Sequence, residues 1–313
     1  MSNQTVLRKN PRVNIKNLNI MVILLFILLI ISAFVYTYYV LLMALVAIVS
    51  GVLVEYAFSK IRKRPFEING GLIDTPLLFV LLMPPQLPLY MVLIGSFFGV
   101  FFGKMIFGGL GRNIFHPAII AYLFLLVTFP FEVGANFIDP LTGLVVENIN
   151  LADPNFTGTT DQLFGLLFGQ YANSIGATFV LGVWIVGAIL LFLKVADWKI
   201  PVTILISTAI FTAILGNFYP GQFSNAFVAL FQGQLMFIAL FVATDPVTAP
   251  RSSKAKIYYA IGIALITVVI RGLANAAEGI VYAVIIMNAV GPMFEPLEKV
   301  ETEEAKWINT LSY

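Results

Sequence analysis

The chain is 313 residues long, 59% hydrophobic and only 11% charged, with a mean hydropathy of +0.94 and a net charge of +2. Soluble domains are about a quarter charged, so this composition excludes a soluble enzyme and predicts an all-α integral membrane protein. The absence of cysteine excludes thiolate ligation of iron–sulfur clusters or zinc, and the single histidine, His116, excludes a histidine cluster; electron handling by this chain therefore requires an organic cofactor.

A membrane helix needs about 20 mostly apolar residues. In chain order the segments that approach this are 20–36, 38–58, 71–83, 88–107, 115–130, 177–194, 200–216, 222–243, 257–271 and 278–293. The first follows a basic stretch (Arg8, Lys9, Arg12, Lys16) and is followed by Tyr36, Tyr38 and Tyr39 in place of a small-residue cleavage site. It is expected to stay in the protein as a membrane helix. The organisation expected is a cytoplasmic segment 1–19, a membrane half 20–130, an external loop 131–176, a second membrane half 177–293 and a cytoplasmic tail 294–313.

Charge distribution gives an orientation. With the N-terminus inside, the inner loops carry Lys60, Arg62, Lys63 and Arg64, then Arg112, then Lys194 and Lys199, then Arg251, Lys254 and Lys256. Arg271, at a helix end, is the exception on the outside. The loop 131–176 falls outside and holds Glu132, Asp139, Glu147, Asp153 and Asp161 with no Lys or Arg. About ten helices, five on each side of this loop, put both termini in the cytoplasm and give the two halves opposite orientation. Asn69-Gly70-Gly71-Leu72 with Pro84-Pro85 in the third segment, and Gly233-Gln234-Leu235 with Asp245-Pro246 in the eighth, interrupt matching positions of the two halves. Such a pair marks a midplane site in inverted-repeat proteins, although Gly and Pro are also common in membrane helices generally.

Ionisable residues in the membrane are costly and are the first to weigh for function. Glu55 lies near the inner end of the second segment, Asp245 at the inner end of the eighth and Glu278 at the outer start of the tenth. Each can line a cation path, or cap a helix and pair with Lys or Arg at an interface. His116 precedes Pro117 and reads as a satisfied residue at a helix start. The external stretch Thr157-Gly158-Thr159-Thr160 offers hydroxyls beside glycine, open to covalent modification, in what is otherwise an ordinary polar turn.

Five stretches together, from about Glu55 to Glu295, resemble the RnfD/NqrB family, membrane subunits of flavin-containing, ion-translocating electron-transport complexes. They are Glu55 followed by a basic loop and NGGLIDTP with its later Pro84-Pro85; GGLGRNIFHPA (108–118), with His116 where the family has Asn; NSIGAT (173–178), with Ala177 where the family has Glu; FVATDPVTAP (241–250); and EGIVYAVIIMNAVGPMFE (278–295). In length the chain is closer to RnfD.

The resemblance implies a fold like that of ammonium and urea transporters, in two inverted five-helix repeats. It implies FMN joined through its phosphate to a threonine of an S/T-G-A-T motif on the external side. Thr160 is the first choice, with Thr159 standing where the family has Ala, and Thr178 is the second. A noncovalent riboflavin, flavin and iron–sulfur partner subunits and a separate flavin transferase are implied too, in the cytoplasmic membrane of a bacterium or archaeon. In this picture Asp245, and with it Glu55 and Glu278, shape a path for Na+ or H+ coupled to electron flow between ferredoxin and NAD. The chain has no catalytic residue or metal site of its own and no nucleic-acid role. A channel or transporter of the same fold without redox chemistry is the alternative, and a structural anchor a third.

Overall fold

The computed structural model describes residues 13–63, 66–134, 137–146, 159–219, 222–223, 225–231, 233–274 and 276–295. The first half contains α1 (Ile15–Val35), α2 (Tyr39–Ile61), α3 (Gly71–Leu82), α4 (Leu89–Val100) with a π-helical continuation Phe101–Met105, and α5 (Pro117–Thr128). Then come α6 (Pro130–Gly134), the antiparallel pair β1 (Phe137–Ile138) and β2 (Val145–Val146), and α7 (Thr160–Leu167). The second half contains α8 (Val180–Phe192), α9 (Lys199–Phe218), α10 (Ala226–Ala229), α11 (Leu235–Phe237) with a π-helical continuation Ile238–Val242, α12 (Ser253–Ala274), and α13 (Gly279–Val290) ending in a 3-10 turn, Gly291–Phe294.

Four of the described helices, α1, α2, α9 and α12, are long and apolar enough to cross a membrane, and several shorter apolar helices accompany them. Their outward faces expose Ile23, Ile30, Phe34, Leu45, Leu53, Ile206 and Ile210. That is the pattern of a surface solvated by lipid, and the protein is a multi-pass, mostly helical integral membrane protein.

The short helices α3 and α11 are buried inside the protein. At 12 residues, α3 extends only about 18 Å and cannot cross the hydrocarbon alone. Leu77 to Met83 are all 0% exposed, as are Phe237 to Ala239 and Phe241 to Ala243 around α11. Interrupted backbone is tolerated at membrane depth only where protein surrounds it and satisfies its polar groups. In the first half α3 packs on α1, α2 and α5; in the second, α11 and its continuation pack on α8 and α9. Helix α4 packs on α2 and α5, α12 packs on α9 and α13, and the first and second halves meet through α1–α8 and α5–α13.

The end of α3 explains the NSIGAT stretch. Three carbonyls there have lost their helical partners. The Gly176 N–H donates to Leu81 O (2.7 Å), the Ile175 N–H to Met83 O (3.0 Å) and Gln234 Nε2 to Leu82 O (2.8 Å). Ser32 Oγ on α1 donates to Ile175 O (2.7 Å), fixing the crossing strand. The residues before α8 therefore act as an interior cap that joins the halves.

Two expectations are corrected. The segment 222–243 is not one helix: it divides into α10 and α11, with Gly233 between them at φ +51°. A Cβ at Gly233 would lie 2.9 Å from Ala277 O, so the turn presses on the start of α13. The stretch 131–176 is not a plain loop either, since it holds α6, the β pair and α7. Helix α7 starts with a capping box, in which the Thr159 side chain accepts from a backbone N–H and the Thr159 N–H donates to Gln162 Oε1 (3.2 Å). Leu166 anchors it against Val180 and Phe231.

At the opposite end, the turn between α8 and α9 is tied to α12 by Asp197. Its Oδ2 accepts from Lys256 Nζ (2.5 Å) and its Oδ1 from the Lys199 N–H (3.0 Å). Burial pushes the carboxyl up, but the hydrogen bonds and charges of Lys256 and Lys199 outweigh this and hold it below its ordinary value. A depressed carboxylate stabilises the fold above its ordinary pKa of 3.8, and that contribution fades as pH falls through the lowered value. The pair is partly exposed, so Asp197→Asn is expected to cost at most about 1 kcal/mol at neutral pH. The difference from the parent should vanish in acid thermal-denaturation scans.

Candidate functional site

On the side of the α8–α9 turn, a chamber of about 120 Å³ opens between α1, α3, the 106–116 segment and the turn after α11. Its functional lining is Asp74, Lys104, Asn113, His116, Thr244 and Asp245. Asp74 stands in the first turn of α3, where a carboxylate is favoured by the helix dipole. His116 is the residue before Pro117 at the start of α5 and is 3% exposed. Asp245 follows the π-helical turn; its Oδ1 accepts from the Val247 N–H (3.2 Å) and its Oδ2 from Thr248 Oγ1 (3.1 Å). The charge of Asp245 acts on both Asp74 and His116, and that of Lys104 on Asp74.

Two of the lining residues have an atom that is buried without a hydrogen bond: Asp74 Oδ1 and His116 Nδ1. Buried polar atoms of this kind are rare and mark function or a bound water or ion. His116 is thus not the satisfied helix-end residue expected from sequence. Asp74 belongs to the NGGLIDTP stretch, yet the sequence reading weighs Glu55, Asp245 and Glu278 and passes over this carboxylate. The signal for it is a lone acid four residues after Gly70 in an otherwise apolar segment. Among the described residues no group of three or more His, Cys, Asp or Glu has the placement to hold a metal ion.

Glu55 is brought next to the chamber but not into it. Lys104, on the π-helical turn and 2% exposed, donates to Glu55 Oε1 (2.5 Å) and to Gly71 O (2.6 Å). The lysine thereby joins α2, α4 and the start of α3. A lysine inside a membrane helix is visible in the sequence, but its partner is not.

Glu278 lies apart, in a second polar cluster. It is the residue before α13, 7% exposed, with Oε2 buried and without a hydrogen bond. Tyr122 of α5 interacts with it and with Gln234 before α11, and Tyr122 Oη and Gln234 Oε1 are likewise buried without a hydrogen bond. Arg271 supplies the nearby positive charge while donating to Ala277 O (3.1 Å) and Ala229 O (2.9 Å). The three acids singled out in the sequence are therefore distributed over different environments: one faces the chamber, one is ion-paired beside it and one sits in this separate cluster.

The two candidate threonines also differ. Thr178 is 4% exposed; its Oγ1 donates to Ser174 O (2.8 Å) and meets the hydroxyl of Tyr36, which donates to Asn173 O (2.8 Å). Thr160 is the first residue of α7, between exposed Thr159 and exposed Asp161. Thr157 and Gly158, of the same stretch, lie outside the described residues.

The profile of the NQR2, RnfD, RnfE family matches residues 2–302. The chain is 30% identical over 296 residues to the D subunit of the ion-translocating oxidoreductase complex of Actinobacillus succinogenes, covering 80% of this chain and 82% of that protein. It is 32% identical over 261 residues to the D subunit of the proton-translocating ferredoxin:NAD(+) oxidoreductase complex of Clostridium ljungdahlii, covering 79% of each. It is 30% identical over 275 residues to the D subunit of the Na(+)-translocating ferredoxin:NAD(+) oxidoreductase complex of Acetobacterium woodii, covering 86% of this chain and 84% of that protein. With broken helices, buried ionisable groups and a match along nearly its whole length, the chain belongs to the NQR2, RnfD, RnfE family.

Proposed function

We propose that this chain is the membrane subunit of an ion-translocating ferredoxin:NAD oxidoreductase complex, and that it carries FMN covalently on Thr160. The observation that carries the first part is the family match over residues 2–302, with relatives whose names are those of complex subunits. Those names favour the redox subunit over a plain channel. The chain works within an assembly, together with flavin and iron–sulfur subunits, and a flavin transferase matures it.

The attachment on Thr160 is supported by the exposure of its neighbours Thr159 and Asp161. The start of α7 is flanked by exposed residues, and a helix N-terminus suits a phosphodiester. Modification at Thr178 would require expelling a buried hydroxyl from its hydrogen bonds. Bound FMN supplies one- and two-electron transfer. The protein's own contribution is to hold the attachment point on a capped helix pinned to α8. A noncovalent riboflavin in the membrane part belongs to the same reading.

The packing of α4 on α2 and α5, and of α12 on α9 and α13, supports two inverted repeats and about ten membrane segments. The basic inner loops support cytoplasmic termini in a bacterial or archaeal cytoplasmic membrane. Asp245 is then at the inner mouth of the ion path, with Glu55 setting its charge through Lys104 and Glu278 on the outer side.

Made together with its flavin transferase, Thr160→Ala is expected to lose all flavin fluorescence in a denaturing gel, while Thr178→Ala keeps it. Fluorescence persisting in Thr160→Ala, with FMN on another peptide by mass spectrometry, would sink the assignment.

A further inference from the structure

We infer that the inner chamber is a proton-loading site, with His116 and Asp74 as its acceptor groups, and that the ion this chain takes up from the cytoplasm is the proton rather than Na+. The inference rests on the ion-translocating reading above and specifies the ion.

The observations come from separate elements. Asp74 Oδ1 on α3 and His116 Nδ1 before α5 both lie buried and without a hydrogen bond, and both residues line the chamber. Asp245 completes the acidic lining, but its two oxygens already accept from the Val247 N–H and from Thr248. Lys104 faces the same space, with its charge shared by Glu55. Tyr259 of α12 feels Asp245 and donates its hydroxyl to Asn288 Oδ1 (2.8 Å). The α1 wall contributes Asn14 and Asn17, which do not titrate. Three carboxylates, those of Glu55, Asp74 and Asp245, thus lie around the ammonium of Lys104, so the chamber favours uptake of positive charge.

The donor set decides which positive charge. Hard cations are held by several oxygens, whereas imidazole nitrogen suits softer metals or a proton. The acceptors left without a hydrogen bond at the chamber are one imidazole nitrogen, His116 Nδ1, and one carboxylate oxygen, Asp74 Oδ1, and an imidazole takes up a proton but is not a ligand for a hard cation such as Na+. A proton needs only one acceptor at a time. In the loading step a hydronium ion gives its proton to His116 Nδ1 or to the Asp74 carboxylate and leaves as water, so the chamber gains one positive charge. No electron moves in this step.

The test uses inverted membrane vesicles containing the whole complex, with turnover driven by its own electron donor and acceptor. Proton uptake is read by a pH-sensitive dye and Na+ uptake by radioactive sodium. The parent is expected to take up protons at the same rate with and without Na+. His116→Asn and Asp74→Asn, checked for assembly on a native gel, are each expected to lower protons moved per electron by at least about tenfold, and Asp74→Glu to restore most of the loss. Uptake of Na+ in place of protons by the parent overturns the inference, whatever the variants do. So does an unchanged proton-to-electron ratio in assembled His116→Asn and Asp74→Asn. Failure of the parent vesicles to pass electrons between ferredoxin and NAD at all strikes the subunit reading itself, and is distinguishable because ion movement is then absent for both ions.

Discussion

Gly176→Ala is expected to destabilise the folded protein by about 1–3 kcal/mol, and Gly176→Val to prevent its accumulation in the membrane. A Cβ at this position would lie 2.8 Å from Phe237 Cε2, 2.9 Å from Leu81 Cβ and 3.0 Å from Leu81 O. None of these atoms can withdraw freely. Leu81 and Phe237 are 0% exposed, and Leu81 O is the acceptor of the Gly176 N–H. Displacing the backbone at 176 also weakens the Ile175 bond to Met83 O and the hold of Ser32 on Ile175 O. One methyl group therefore strains the cap of α3, the seat of α11 and the join between the halves. The measurement is the soluble fraction left by size exclusion after heating the detergent-purified protein. Gly216→Ala is the control: it lies within α9, where an added Cβ meets only Phe223 Cβ at 3.7 Å. Alanine there gains up to about 1 kcal/mol in helix propensity, so this variant is expected to be neutral or more stable.

How far the sequence discloses this architecture depends on the kind of feature. Long helices are legible because lipid demands uninterrupted apolar runs: segments 20–36 and 38–58 lie on α1 and α2, 200–216 on α9 and 257–271 within α12. The break at Gly233 is visible as a Gly-Gln pair but not as a helix end, because Phe227 to Phe231 and Leu235 onward are apolar on both sides of it. Tertiary contacts, with Ala277 O and Arg271 close to Gly233, accompany the break and have no local signature. The capping role of NSIGAT is hidden for the same reason, since its partners in α3 are some 90 residues earlier in the chain. Asp245 is legible as an acid beside proline. Asp74 and His116 are each ordinary alone, and only the folded chain brings them to one cavity. Thr160 and Thr178 are both threonines in small-residue motifs, and the contacts that bury the Thr178 hydroxyl, one of them with Tyr36 far away in the chain, have no local signature.

Lys104→Met is expected to be the most damaging single substitution of a charged residue, costing about 3–5 kcal/mol, because removing one partner of a buried pair leaves the other charge uncompensated. The loss reaches beyond Glu55, which is 13% exposed, since Gly71 O at the start of α3 loses its donor as well. The double variant Glu55→Gln/Lys104→Met removes both charges and should recover much of that cost, as the two residues belong to one network and their effects are not additive. Heating curves of the parent, the two single variants and the double variant close the cycle. If the double variant is no more stable than Lys104→Met alone, the damage lies in the lost carbonyl bond rather than in the stranded carboxylate. The same cycle separates structure from transport at Glu55. A residue whose purpose is to neutralise Lys104 becomes dispensable once the lysine is gone, so the double variant should move ions nearly as well as the parent. A carboxylate on the ion path itself would be missed in either background, and ion movement in the double variant would then stay low although the protein remains folded.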